Sequence, residues 1–201
     1  MSSYARPMVV LSKIYTRTGD AGTTRLGDNT EVAKTDARLA AYAEVDAAGA
    51  AIGVALAAGQ LPADIAVLLV RVQQDLFDVG ADLCTPVVED PEYPPLRVEQ
   101  PYIDRLETEC DRWSEGLPTL RSFVLAGGTA GSAFLHVART AVRRAERDAW
   151  AAMAAHGDSM NPLAAKYLNR LSDLLFILSR AANLPEHGGP GDVLWVPGAN
   201  R

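Results

Sequence analysis

Apolar residues return at every third or fourth position along five separate stretches of the chain, and this regularity commits it to packed helices. The first stripe runs through Leu39, Tyr42, Val45, Gly49, Ile52 and Leu56, the second through Ile65, Leu68, Leu69, Val72, Leu76, Val79 and Leu83. A third joins Ile103, Leu106, Cys110, Trp113 and Leu117. A fourth joins Leu135, Ala138, Val142, Ala145, Ala149 and Ala152, and a fifth Ala164, Tyr167, Leu171, Leu174, Leu178 and Ala181. Thr35 can cap the first helix and Gly59 can close it, Pro101 suits the first turn of the third, and Asn161-Pro162 sets a capping side chain before a proline whose missing N–H is harmless there. The spacing predicts helices over 35–58, 62–83, 100–116, 131–155 and 162–183. Residues 84–99, with Pro86, Pro91, Pro94 and Pro95, read as a loop, and 184–201 as an irregular tail anchored by Trp195. Short connections make sequential helices antiparallel, and no strand alternates with a helix, so doubly wound nucleotide folds are excluded. The expected architecture is all-α: one domain over residues 1–201 forming a five-helix up-and-down bundle.

Composition narrows the functional classes. A chain of 201 residues with 48% apolar content can bury a core without staples. Its net charge of −6, from 19 basic and 25 acidic residues, argues against a nucleic-acid partner and requires any anion site to be local. Cys84 and Cys110 are too few for a disulfide framework and lack the neighbours of a zinc cluster, so no protein metal site is assigned and both read as reduced thiols. The longest uncharged run, 47–63, carries Gly49, Gly53, Gly59 and Pro62 and falls short of the ~20 apolar residues of a membrane span. The apolar patch at 8–11 is too short for a signal peptide. The expectation is a cytoplasmic protein with no membrane partner.

Three groups of residues could carry chemistry. The first is the segment 13–34, which holds Thr16, Arg17, Thr18, Gly19, Gly22, Thr24, Arg25 and finally Lys34 at the entrance of the first helix. Such a loop can wrap an anion with backbone N–H groups, hydroxyls and guanidinium forks, although it is no Walker A motif; the plain alternative is a polar arm. The second is Arg139, Arg143, Arg144 and Arg147, four arginines in nine residues, with Arg139, Arg143 and Glu146 on one helical face. They suit a phosphate clamp, or alternatively salt bridges between helices. Asp46 lies at the edge of the first apolar stripe and needs a partner, for which Arg139 is the candidate, within the chain or across a subunit interface. The third is Asn169 with Asp173 one turn on, able to meet an adenine or ribose or to cap a loop. Phe123 precedes the glycine pair Gly127-Gly128, where a phenylalanine is ordinarily core. His136, His156 and His187 are widely spaced and are not assigned as ligands.

Taken in order, Thr16-Arg17-Thr18-Gly19-Asp20 with Gly22, the stretch 42–46, residues 72–77, residues 123–128, residues 138–147 and Tyr167-Leu168-Asn169-Arg170-Leu171-Ser172-Asp173 resemble the PduO-type ATP:cob(I)alamin adenosyltransferases. The resemblance covers 13–183 and implies a homotrimer of ferritin-like five-helix bundles with ATP and cobalamin in clefts between subunits. It implies ATP contacts at Thr16, Arg17, Thr18, Gly19, Thr24, Arg25 and Lys34, and at Arg143, Arg144, Glu146, Arg147 and Asn169. It further implies an intersubunit pair between Asp46 and Arg139, and it puts Phe123 where the lower axial base of cobalamin is displaced. The reaction implied is attack by the cobalt of cob(I)alamin on C5′ of ATP, with Mg2+ on the departing triphosphate, a cob(II)alamin reductase upstream and a cobalamin-dependent mutase downstream. This chain departs from the family in having Ala47-Ala48-Gly49 after Asp46 in place of the usual Glu-Leu-Asn, and Ala126 in place of a frequent proline. Two rival readings are a cobalamin-binding escort that delivers the cofactor without making it, separated by triphosphate release, and a helical scaffold, separated by stabilisation with ATP.

Overall fold

The computed structural model describes residues 14–91 and 93–199, so the patch at 8–11, Lys13 at the head of the anion loop, and the last two residues of the tail lie outside it. Five helices carry the fold: α1 (Ala37–Ala58), α2 (Ala63–Cys84), α3 (Gln100–Ser114), α4 (Ala130–His156) and α5 (Pro162–Ala181). Leu, Ile and Val of the periodic stripes fill the core, with Ile52, Ile65, Leu69, Leu135, Leu168 and Leu171 fully buried. The core's closest seam has a different composition. On α1, Ala41, Ala48 and Ala55 recur every seven residues, and on α4 Ala138, Ala145 and Ala152 do the same, all with no exposed surface. Alanine rows let two backbones approach, and α1 and α4 form the most extensive helix pair of the bundle. They run antiparallel: Asp36 before α1 meets His156 at the end of α4 at 2.8 Å, and Gly59 after α1 lies against Gly131 at the start of α4.

Two expectations need correction. The chain is not wholly helical, because β1 (Thr23–Arg25) and β2 (Glu31–Ala33) pair antiparallel, with Thr24 opposite Val32. Three-residue strands are too short for an alternation to register in the sequence. Their turn is made by Asn29 in the left-handed region (φ 67) and by Asp28, whose carboxylate accepts from the Thr30 N–H. Second, Asp36, and not Thr35, caps α1, its carboxylate accepting from the Arg38 N–H at 2.8 Å. Both side chains suit the position, and the contact with His156 selects Asp36.

The two ends of the bundle are closed differently. At the hairpin end the buried guanidinium of Arg38 donates to Leu83 O (3.0 Å), Ser159 O (3.2 Å) and Ser159 Oγ (2.7 Å), so the ends of α2 and α4 are tied to the start of α1. The loop after α2 is pinned there by Arg97, which donates to the buried Asp82 carboxylate at 2.6 Å and to two loop carbonyls. At the other end Asn183 accepts from the Thr129 N–H (2.8 Å) and donates to Gly127 O (2.9 Å). Gly128 between them has φ 93, and its Cα faces Asn183, so only glycine fits. By length and composition α1 could cross a membrane; in the fold it is a bundle helix packed on both α2 and α4, with Arg38 in its first turn.

Candidate active site

The N-terminal loop and its hairpin form a cationic fold around the entrance of α1. The Thr16 and Thr18 hydroxyls bond to each other at 2.8 Å, and Arg17 between them takes a left-handed backbone (φ 63). Lys34 is drawn back by its N–H to Gly22 O (2.8 Å), and its ammonium crosses Gly19 so closely that a side chain there would begin 2.9 Å from Nζ. A side chain at 19 would displace the lysine ammonium from this position. Thr24 and Lys34 line an open hollow of about 390 Å³ with Asp36, Leu39 and Tyr42. Arg25 folds onto the hairpin turn, donating to Asn29 O at 3.2 Å.

The arginine face of α4 divides in two. Arg144 is held within the chain by Glu44 of α1 at 2.7 Å, which is the salt-bridge alternative realised at one residue. Arg143 and Arg147 are exposed and, among the described residues, hydrogen-bond to nothing. Arg139 donates only to the His136 ring, at 3.4 Å, and its guanidinium is held below its ordinary pKa by burial and by the charge of Arg143. Two cations one helical turn apart, neither ion-paired to a carboxylate among the described residues, repel each other and favour an anion. Beside them Glu146 accepts from Asn169 Nδ2 at 2.9 Å, so Asn169 joins α5 to α4 and caps no loop. Asp173 pairs with Arg170 at 2.7 Å.

Asp46 is exposed and forms no bond to Arg139 within the protomer among the described residues, so the in-chain version of that pair is absent. It lines a hollow of about 470 Å³ between α1 and α2, with Tyr42, Gly49, Gln73 and Phe77. Gly49, one of the three residues that depart from the family pattern, forms part of that wall, and Gln73 donates to its carbonyl at 3.0 Å.

Phe123 overturns the ordinary reading of a lone phenylalanine. It is 77% exposed. Its position comes from the backbone: Trp195 N–H donates to Phe123 O (2.8 Å), Leu125 N–H to Val193 O (2.7 Å), and Ser122 Oγ to Trp195 O (2.6 Å). The Phe123 and Trp195 rings lie 6.0 Å apart, tilted by 58°. Trp195 thus anchors the tail, and what it anchors is the aromatic loop. His136 is a core histidine, with Nε2 3.2 Å from Ser179 Oγ and its ring against Phe176. His156 instead pairs with Asp36, a role with no sequence signal.

The cationic loop and Phe123 do not meet within the chain. The cationic loop sits at the C-terminal end of α4 and Phe123 at its N-terminal end, and 27 residues of helix separate them by roughly 40 Å at 1.5 Å per residue.

The residues 14–182 match the family model for cobalamin adenosyltransferase. The chain belongs to the cobalamin adenosyltransferase family. It is 63% identical over 193 residues to the corrinoid adenosyltransferase of Mycobacterium tuberculosis, covering 96% of this chain and 97% of that protein. It is 38% identical over 186 residues to the corrinoid adenosyltransferase of Bacillus subtilis, covering 90% and 91%. Among solved structures it is similar to a phenylalanine-to-histidine variant of the PduO-type ATP:corrinoid adenosyltransferase from Lactobacillus reuteri complexed with cobalamin and ATP, with a TM-score of 0.81, 36% identity, and 92% and 97% of the two chains covered. An ATP complex of an arginine-to-lysine variant of that enzyme aligns with a TM-score of 0.80 at 34% identity, covering 91% of this chain and all of that one. The five helices of this family member match those structures, whereas the tail after residue 182, with Asp192 and Trp195, lies beyond the family model.

Proposed function

We propose that this chain transfers the 5′-deoxyadenosyl group of ATP to the cobalt of cob(I)alamin, giving adenosylcobalamin and triphosphate, at sites shared between the subunits of a homotrimer. The observation that carries the reading is the unpaired arginine face of α4, Arg139, Arg143 and Arg147, beside the Glu146–Asn169 bond. It is a triphosphate-shaped demand for negative charge in an acidic protein. The ~40 Å between the cationic loop and Phe123 supports sharing: a neighbour's Thr16, Arg17, Thr18, Gly19, Thr24, Arg25 and Lys34 can complete the nucleotide site that one protomer leaves open. Asp46, exposed and with no side-chain bond among the described residues, suits a pair with Arg139 of an adjacent copy.

The cobalt supplies the electron pair that forms the Co–C5′ bond, and the C5′–O bond breaks with its electrons leaving on the triphosphate. The protein therefore needs no nucleophile of its own. Alignment of the two reactants can contribute ~7 to 11 kcal/mol. Arg143, Arg147 and Lys34 stabilise the charge that grows on the departing oxygens, with Arg144 released from Glu44 or left as a support for it. Glu146 holds Asn169 toward the nucleoside. A magnesium ion would enter as the companion of the nucleotide and would help neutralise the charge of the departing triphosphate. Phe123, projecting from a fixed backbone, covers the lower face of the corrin and keeps the axial base off. Cys84 and Cys110 are free and half-buried, which suits a reducing cytoplasm that can hold a cob(II)alamin reductase upstream and a mutase downstream.

The test mixes the protein with ATP and chemically reduced cobalamin and follows the adenosylcobalamin spectrum together with triphosphate. One triphosphate per adenosylcobalamin is expected. Cobalamin bound without triphosphate release would leave an escort in its place.

A further inference from the structure

Phe123 is held by little of its own side chain. With 77% of its surface exposed and one ring neighbour 6.0 Å away, burial cannot fix where it points. The bonds that do fix it belong to a short antiparallel pairing of 122–125 with 193–195, and two short strands alone are marginal in water. An external clamp is required on the tail side, and the structure contains one.

Arg180, in the last turn of α5, is 9% exposed. Its guanidinium grips the Asp192 carboxylate with Nε to Oδ1 at 3.1 Å and Nη2 to Oδ2 at 2.9 Å, while Nη2 also donates to Pro118 O at 2.6 Å. Both side chains are nearly buried, at 9% and 11%. One planar group therefore joins three segments: the end of α5, the start of the loop that carries Phe123, and the residue immediately before the paired tail strand. Bidentate geometry fixes orientation as well as distance. Asn183, one turn further, holds the far side of the same loop through Gly127 and Thr129.

We propose that the Arg180–Asp192 pair is the latch that sets Phe123 at the corrin, acting as a pair of positioning residues for the adenosylation reaction. Neither residue reaches the reactants; both act through the backbone of 122–125. The inference rests on the reading of Phe123 as the group that keeps the axial base away. Its consequence is that the tail, although outside the helical bundle, governs the coordination state of the cobalt.

Three proteins decide the matter: Asp192→Asn, the double variant Arg180→Met with Asp192→Asn, which leaves no unpaired buried cation, and Phe123→Ala. Hydrogen exchange of the Leu125 and Trp195 amides reads the latch directly and needs no cobalamin. The optical and paramagnetic spectra of cob(II)alamin with ATP read the four-coordinate species, and ATP-dependent thermal shift reads the nucleotide site. In the double variant exchange at Leu125 and Trp195 is expected to be at least tenfold faster, with Ala145 in α4 unchanged. The four-coordinate signal should fall at least tenfold, and the ATP shift should be retained. Unchanged exchange, or accelerated exchange with a full four-coordinate signal, overturns the latch while a lost signal in Phe123→Ala preserves the wedge. Loss of the ATP shift together with the signal also overturns it, since that marks general unfolding. A full signal in Phe123→Ala overturns the reading of Phe123 and the latch with it.

Discussion

Replacing Phe123 by alanine separates catalysis from stability more cleanly than any other change in this molecule. A fully buried phenylalanine costs ~3 to 5 kcal/mol when truncated to alanine. Only about a quarter of Phe123 is covered, since 77% is exposed, and that scales the packing loss to about 1 kcal/mol. The tilted contact with Trp195 adds a further loss of up to ~1 kcal/mol. A total of about 1 to 2 kcal/mol lowers the melting temperature of a chain this size by roughly 2 to 8 °C. ATP binding should be unchanged, because the arginine face and the cationic loop lie elsewhere. The four-coordinate cob(II)alamin signal should vanish as base or water returns to the lower face, and turnover starting from cob(II)alamin should fall much further than turnover from pre-reduced cob(I)alamin, which needs no axial ligand removed. The three measurements are made on one preparation. A melting loss well above 8 °C, accompanied by equal decline in both activities, would mean the ring is packing and the reasoning from its exposure is wrong.

Arg143→Ala should leave the melting temperature unchanged or slightly raised, because the exposed side chain has no partner among the described residues and repels Arg139, while losing the two charge-assisted phosphate bonds proposed for it, worth about 3 kcal/mol, should lower kcat/KM for ATP by roughly 150-fold; activity within threefold of wild type removes it from the proposed site. In the proposed homotrimer, Asp46→Asn should weaken assembly by ~3 to 5 kcal/mol if it leaves a buried Arg139 of a neighbouring copy uncompensated, and sedimentation over a range of protein concentrations reads this as dissociation; an unchanged oligomeric state with full activity refutes the proposed pair. Asp36→Ala removes the cap of α1, at about 1 kcal/mol. Burial alone would raise the Asp36 pKa, but the Arg38 N–H and His156 overcome it and hold it below 3.8, so the stability gap to wild type should be full above that pH and close as the pH falls through the lowered value. Thermal melts of both proteins across acid pH check the sign.

The helices were legible because each buries one stripe, and a stripe repeats within the helix itself. Leu39 through Leu56, or Ala164 through Ala181, need no partner to be recognised. The arginines of α4 stood out for the same reason, since four on one segment of an acidic chain violate the usual mixing of charges. What escaped the sequence depends on distant residues meeting. The choice of Asp36 over Thr35 turns on His156, 120 positions away. The exposure of Phe123 turns on the tail, and nothing in Gly191-Asp192 announces a partner in α5. Arg144 reads like its neighbours in the sequence, and only Glu44 across the α1–α4 seam distinguishes it. The hairpin escaped for a simpler reason, being too short to have a period.

The alanine seam sets a dimension. Because Ala41, Ala48 and Ala55 on one helix and Ala138, Ala145 and Ala152 on the other are fully buried and have no rotamer to adjust, the spacing between the helix of Asp46 and the helix of the arginines has little room to give. In a core built of leucines an added methyl group can be absorbed by a rotamer change; along this seam it translates one whole helix relative to the other. The seam therefore works as a gauge block for the surface proposed to bind the reactants: a change of a few tenths of an ångström at Ala48 or Ala145 is carried by rigid helices to Asp46 and Arg143. Fully buried residues thereby hold the tolerance to which the proposed site is built.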